Sequence, residues 1–358
     1  MLKYKMNVGA TVARPQPCLK RLLDEPSENV PKSKEPCLAQ NTPATGLPLC
    51  LRFRRPAPNC SRSQSPSKVG PYFLFERFEG EETDRAEHAQ TKQQYTCQVL
   101  PLRCHQEKLA AYSRVGRHDN ICSLLDVVIG QEHVHVFLPS HYGDMHAYVR
   151  NRKRLGEEEA RRLFTQMLNA VMHCHRHGVV LRDLKLRRFV FTDKHRTHLA
   201  LLGLNDCVLL HGNRDDCLTD KHGCPAYVSP EMLTSGNGSY SGCAADVWSL
   251  GVSLYTMLIG RYPFQDTQPA ALFTKICHGV FCLPDWLSLQ AKCLIGCMLR
   301  KSPTERLEAS ELLTHPWLIS PCKPHHNMYK RHDSSAKTRH SKQEDGEQVV
   351  PTWLEQKH

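Results

Sequence analysis

Between Ala244 and Ile259 the chain is apolar nearly all the way round a helix, with no polar face to offer water. A helix of that kind has to be enclosed by other elements, so the surrounding sequence must build a sizeable helical body. The most apolar part, Trp248 to Gly260, is too short to span a bilayer. Glu157 to His175 supplies one partner: Ala160, Leu163, Phe164, Met167, Leu168 and Val171 recur at three- and four-residue intervals and form a single apolar face. Glu308 to Leu318 reads as a last helix that closes at Pro316. Ahead of these the texture differs. Pro71 to Phe75 and Tyr95 to Leu100 read as strands, and Val134 to Leu138 alternates in type as a third.

Strands first and helices afterwards predict an α+β fold, with a small β-rich lobe at about 69–140 and a larger helical lobe at about 141–318. The flanks have another composition. Residues 1–68 are rich in Pro, Ser, Asn and Lys without periodicity, and are expected to be disordered because they cannot bury enough apolar surface to offset ordering. Residues 319–358 are polar and charged, and are expected to form a flexible tail.

The chain has 358 residues and 17 cysteines with no C-x-x-C pair, a pattern that fits free thiols in a reducing compartment better than a disulfide framework. Cys293 and Cys297 lie one helical turn apart and read as core packing. His173-Cys174-His175-Arg176-His177 has a metal-like composition but no distant cysteine pair to complete a tetrahedral set, so it reads as structural. No apolar block follows Met1, as a signal peptide would require, and Pro15 and Pro17 interrupt any amphipathic presequence. The net charge of +11 is spread over the whole chain, which fits a solvated surface or a nuclear-import patch. These features predict a protein of the nucleus and cytoplasm, with neither nucleic acid nor membrane as its partner.

Four landmarks in order resemble a protein-kinase domain. Val180-Leu181-Arg182-Asp183-Leu184-Lys185 resembles the catalytic loop. Tyr227-Val228-Ser229-Pro230-Glu231 resembles the element ending the activation segment, and Asp246-Val247-Trp248-Ser249-Leu250-Gly251 resembles the buried anchor helix. Arg306 stands where kinases keep an arginine that pairs with the glutamate, here Glu231. The fold implied is the bilobal kinase fold, with Glu231, Asp246 and Arg306 in structural roles.

The parts that handle ATP and its metal depart from the kinase pattern. The phosphate-covering loop, Phe78-Glu79-Gly80-Glu81-Glu82-Thr83-Asp84, has one glycine and four carboxylates, so phosphates would meet like charge. Gln98 takes the position of the phosphate-binding lysine, and the nearest candidate for its helix glutamate is Glu107, only nine positions on, which requires a short or displaced small-lobe helix. Arg188 takes the position of a metal-binding asparagine. Gly203 aligns with the metal-binding aspartate, with Asp206 as the alternative under a register slip. Magnesium requires oxygen ligands, so binding of ATP and magnesium is expected to be absent or very weak. Asp183 and Lys185 persist as vestiges that read as struts of the loop, and no phosphotransfer is expected.

Ser140 to His146, the Leu181 to Leu186 loop, Asp220 to Tyr227, and Tyr240-Ser241-Gly242 leading into Ala244 to Trp248 are together similar to the Tribbles pseudokinases. The resemblance implies an adaptor. Its tail peptide Glu347-Gln348-Val349-Val350-Pro351 resembles the family's motif for an E3 ubiquitin ligase of the constitutively photomorphogenic class, and its domain would capture a CCAAT/enhancer-binding transcription factor. Leu312, Leu313, His315, Pro316 and Trp317 resemble a stretch linked to MAP-kinase kinases, although a structural role fits the same residues. A scaffold or decoy acting on MAP-kinase kinases or Akt without ubiquitin is the alternative. Family members usually keep the strand lysine and carry Ser-Leu-Glu where this chain has Gly203-Leu204-Asn205; in the family that segment takes part in coupling substrate binding to tail release, and the resemblance does not carry that coupling over to this chain.

Overall fold

The computed structural model describes residues 66–75, 83–210, 215–236 and 238–319. A six-stranded antiparallel sheet comes first: β1 (Ser67–Val69), β2 (Tyr72–Phe75), β3 (Asp84–His88), β4 (Gln94–Pro101), β5 (Asp126–Ile129) and β6 (His133–Pro139), in the spatial order β1-β2-β3-β4-β6-β5. The three expected strands are present. The central pair carries the apolar content: β4 buries Thr96, Cys97, Gln98 and Leu100, and β6 buries Val134, Val136, Phe137 and Leu138. Tyr72 stacks on Phe137 with ring centroids 3.8 Å apart and donates its hydroxyl hydrogen to Asp126 Oδ2 at 2.8 Å, so one side chain joins β2, β5 and β6. β1 begins at Ser67, just ahead of the expected domain boundary, and pairs with β2. The single small-lobe helix among the described residues, α1 (His105–Val115), has 11 residues, as short as the crowding of Glu107 against β4 requires.

The helical body is built on two long helices. In α3 (Glu157–Arg176), which follows α2 (Met145–Arg152), every residue of the expected apolar face is buried. Acidic side chains occupy its first turn and basic ones its last, the arrangement favoured by the helix dipole. Two short strands, β7 (Val179–Val180) and β8 (Phe189–Phe191), follow, then β9 (Leu199–Leu201), which pairs with β8. After α4 (Pro230–Thr234) comes α5 (Gly242–Ile259), the apolar helix. Ser241 caps its start by accepting the Ala244 N–H at 3.1 Å. Gly260 ends it in the left-handed region at φ +83°, where a Cβ would fall 1.8 Å from the Lys153 carbonyl oxygen. At 18 residues α5 is longer than Trp248–Gly260 suggested and matches a membrane span in length and hydropathy. Its apolar surface goes instead into protein, with 83% of the helix buried.

Three shorter segments complete the body: α6 (Pro269–His278), α7 (Leu289–Met298) and α8 (Ala309–Leu312). The final helix expected over Glu308–Leu318 is not continuous. α8 ends at Leu312, and a separate α9 (Pro316–Ile319) follows. Pro316 opens this last helix rather than closing one, because the N–H it lacks would find no intrahelical acceptor in a first turn. The Glu157 carboxylate fastens this end of the chain, accepting from Ser288 N (2.8 Å), Ser288 Oγ (2.7 Å) and Trp317 Nε1 (2.9 Å).

Arg306 and Glu231 meet as a parallel pair, with both Nη–Oε distances 2.6 Å. The guanidinium also donates to the carbonyls of Ala244 (2.9 Å) and Arg300 (2.8 Å) and lies 5.0 Å from the Trp248 ring centroid. Arg306 is buried, so removing its counter-charge leaves an uncompensated cation inside the protein. Glu231→Gln is therefore expected to lower stability by about 3–5 kcal/mol, read as a shift of the urea midpoint with unchanged slope.

Candidate functional site

The kinase-like cleft is built from β4, α1, the turn after β8 and β9, and the loop that follows β7. Gln98, in the middle of β4 and opposite Val136 of β6, is 6% exposed. Its amide points at Gly203, just after β9. A Cβ on Gly203 would fall 2.4 Å from Gln98 Oε1, 2.5 Å from Nε2 and 2.8 Å from Cδ, and Gly203 has φ +77°. The space that an aspartate side chain would need is filled by the amide standing in for the lysine. Any side chain at 203 would have to displace it and also adopt a backbone conformation that costs L-residues energy.

Arg188 lies beside this pair. It is buried, its Nη2 donates to the Gly203 carbonyl at 3.0 Å, and its Nη1 contacts Asp206 Oδ2 at 2.6 Å. His222 approaches the other carboxylate oxygen at 3.4 Å. Burial alone would raise the Asp206 carboxyl, but the hydrogen bond from His222 and the charge of Arg188 outweigh it and hold the group well below the ordinary carboxylate range. Leu204 is fully buried, and its backbone N–H donates to Tyr112 Oη on α1 at 3.0 Å, which ties this segment to the small lobe. Burial pushes the Tyr112 hydroxyl far above its usual range, so it stays neutral.

Among the described residues, those at the metal positions do not suit magnesium. Magnesium would need anionic or neutral oxygens here, yet a guanidinium occupies this place and already holds the Asp206 carboxylate and the Gly203 carbonyl. The lysine that would meet the phosphates is a neutral amide. Asp206, the alternative under a register slip, is near the expected place, but as the partner of Arg188. Glu107 is exposed in the first turn of α1.

The catalytic-loop vestiges are held by Asp246, which accepts from the backbone N–H groups of Leu181 and Arg182, each at 2.8 Å, and lies 2.9 Å from His175 Nε2. Arg182 takes φ +66° there and its guanidinium pairs with Asp220. Asp183 accepts from Lys185 Nζ at 2.7 Å. Both are mostly buried.

The other candidate residues divide. Leu312, His315 and Trp317 are buried in the helical body, while Leu313 and Pro316 are half-buried, so most of this stretch serves the fold. In the histidine cluster, His173 Nε2 is 2.8 Å from the Val115 carbonyl, His177 Nδ1 is 2.7 Å from the His173 carbonyl, and Cys174 is buried. The described cysteines are free thiols. Residues 78–82 of the phosphate-loop stretch and the peptide Glu347–Pro351 lie outside the described residues. Sequence reasoning missed Tyr112 and His222, which come from remote segments and carry no spacing signal. Gly203→Ala is expected to cost about 2–4 kcal/mol, from the left-handed backbone together with overpacking. In a Gln98→Ala background the overpacking share should disappear, which a double-mutant cycle by denaturant melts would measure.

Comparison with known proteins agrees with this geometry. The protein kinase domain family matches residues 86–318. Tribbles homolog 1 from Homo sapiens is 51% identical over 259 residues, covering 72% of this chain and 69% of that protein. Tribbles homolog 2 from Bos taurus is 52% identical over 255 residues, 71% of this chain and 74% of its own length. Tribbles homolog 3 from Bos taurus is 49% identical over 298 residues, 82% of each. A kinase-like frame whose cleft is rearranged around Gln98, Gly203 and Arg188 thus sits in a chain about half identical to three Tribbles proteins, and the chain belongs to the Tribbles family.

Proposed function

We propose that the chain is a non-catalytic adaptor that brings a substrate protein to an E3 ubiquitin ligase. The observation that carries the loss of catalysis is the interlock of Gln98 with Gly203 beside the Arg188–Asp206 ion pair. These contacts take the place of the cation and the oxygens that stabilise phosphoryl transfer. Asp183 is paired with Lys185, and a base alone supplies no stabilisation for charge on phosphate.

By family resemblance the domain holds a degron from a CCAAT/enhancer-binding transcription factor. Glu347-Gln348-Val349-Val350-Pro351 recruits the ligase of the constitutively photomorphogenic class. The chemistry of the peptide supports this reading: Val349 and Val350 can fill an apolar pocket, and Pro351 restricts the unbound chain, lowering the entropy lost on binding. Tethering then raises the effective concentration of substrate at the ligase. The protein would act in the nucleus and cytoplasm. Regulation of MAP-kinase kinases or Akt without ubiquitin remains the rival, but its candidate stretch at 312–317 is largely buried.

Val350→Ala with Pro351→Ala is expected to abolish co-precipitation of the ligase and to lengthen the substrate's half-life while the domain still binds substrate. Unchanged turnover would overturn the adaptor reading, and full activity of a chain truncated at Pro321 would favour the rival. Separately, millimolar ATP is expected to leave the melting temperature unchanged with or without magnesium, whereas a micromolar site would add about 4 kcal/mol of stability.

A further inference from the structure

Two cysteines and a histidine from remote parts of the chain converge beside α7. Cys293 and Cys297 lie one turn apart on that helix, and His315 comes from the link between α8 and α9. Their ligand atoms all lie within 4.8 Å of one another. A tetrahedral zinc site with bonds of ~2.3 Å to sulfur and ~2.0 Å to nitrogen has ligand–ligand edges of roughly 3.5–3.8 Å, so small side-chain movements would close the set. The His315 imidazole, besides being packed in the helical body, lies within that distance of both thiols.

We propose that Cys293, Cys297 and His315 bind a thiophilic d10 divalent cation, zinc, which clasps the α8–α9 link to α7. Two thiolates and an imidazole form a soft donor set that selects zinc over magnesium or calcium. His315 is 2% exposed, so its imidazole is held inside the protein beside the two thiols. Both cysteines are half-buried. On binding, two thiol protons leave to solvent. His315 Nδ1 accepts the Trp317 backbone N–H at a long 3.2 Å; ligation through Nε2 moves the ring proton to Nδ1 and gives up that bond. The clasp would fix the last turn of the domain, at Trp317, just before the chain continues toward Glu347–Pro351.

The test is a cobalt titration of the full-length, metal-free protein, with zinc as competitor. One equivalent of cobalt should give a thiolate-to-cobalt charge-transfer band and visible bands of tetrahedral intensity, both removed by zinc, and zinc should raise the melting temperature. Cys293→Ser and Cys297→Ser should each weaken binding roughly tenfold or more, and the double variant should lose the bands. Cys217→Ser and Cys282→Ser, at exposed thiols elsewhere, should change nothing. Serine is nearly isosteric, and circular dichroism of the variants checks that the fold persists. Absence of the charge-transfer band in the wild type, or bands of unchanged affinity in the folded double variant, would overturn the proposal.

Discussion

The Asp246 carboxylate, wholly buried near the start of α5, is the interaction on which the frame depends. A carboxyl group shut inside a protein is tolerated only if its oxygens are satisfied. Here two backbone N–H groups and His175 satisfy them, drawing α3, α5 and the loop after β7 to one point. The same bonds hold Arg182 at a positive φ that a residue with a Cβ would not adopt unaided. The loop therefore keeps its kinase-like course for reasons of burial and hydrogen bonding. Asp183 and Lys185 stay in place because Asp246 holds the loop that carries them, and their presence says little about chemistry.

Within that frame the cleft has changed in matched pairs. A lysine replaced by Gln98 would leave a gap facing an aspartate, but position 203 is a glycine and the amide fills the room. An arginine at 188 would be a buried, uncompensated cation, but Asp206 is there to neutralise it. Each departure makes physical sense only with its partner. Reversing one alone therefore does not restore a kinase site: an aspartate at 203 would collide with Gln98, and an asparagine at 188 would take from Asp206 the charge of Arg188 and leave it His222.

How much of this was legible in the sequence follows from where the information lies. α3 was readable because its apolar face repeats at helical spacing, and α5 because a helix without a polar side can only be enclosed. β3 was not, since Ala86 is the sole apolar residue in Asp84–His88 and the strand exists only because β2 and β4 flank it. The last helix was misjudged at Pro316, where one residue is compatible with both an end and a beginning. The loss of catalytic residues could be counted from motifs. The compensation could not, because Gln98 meets Gly203, and Arg188 meets Asp206, only through tertiary packing. His315 joining Cys293 and Cys297 is unreadable for the same reason.

The end of the domain bears on where partner recognition can reside. Trp317 donates to Glu157, and that carboxylate also holds Ser288, the cap of α7; Trp317 and His315 are shut away from solvent. A partner reading Trp317 would have to extract a fully buried indole and strand the Glu157 carboxylate, whose proton affinity is lowered because the bonds from Ser288 and Trp317 outweigh its burial. Exposing an indole of that size forfeits a few kcal/mol before any new contact forms. Recognition through 312–317 thus starts at a deficit, and this, more than the likeness of the motif, is the physical reason to read the stretch as part of the fold before reading it as a docking peptide.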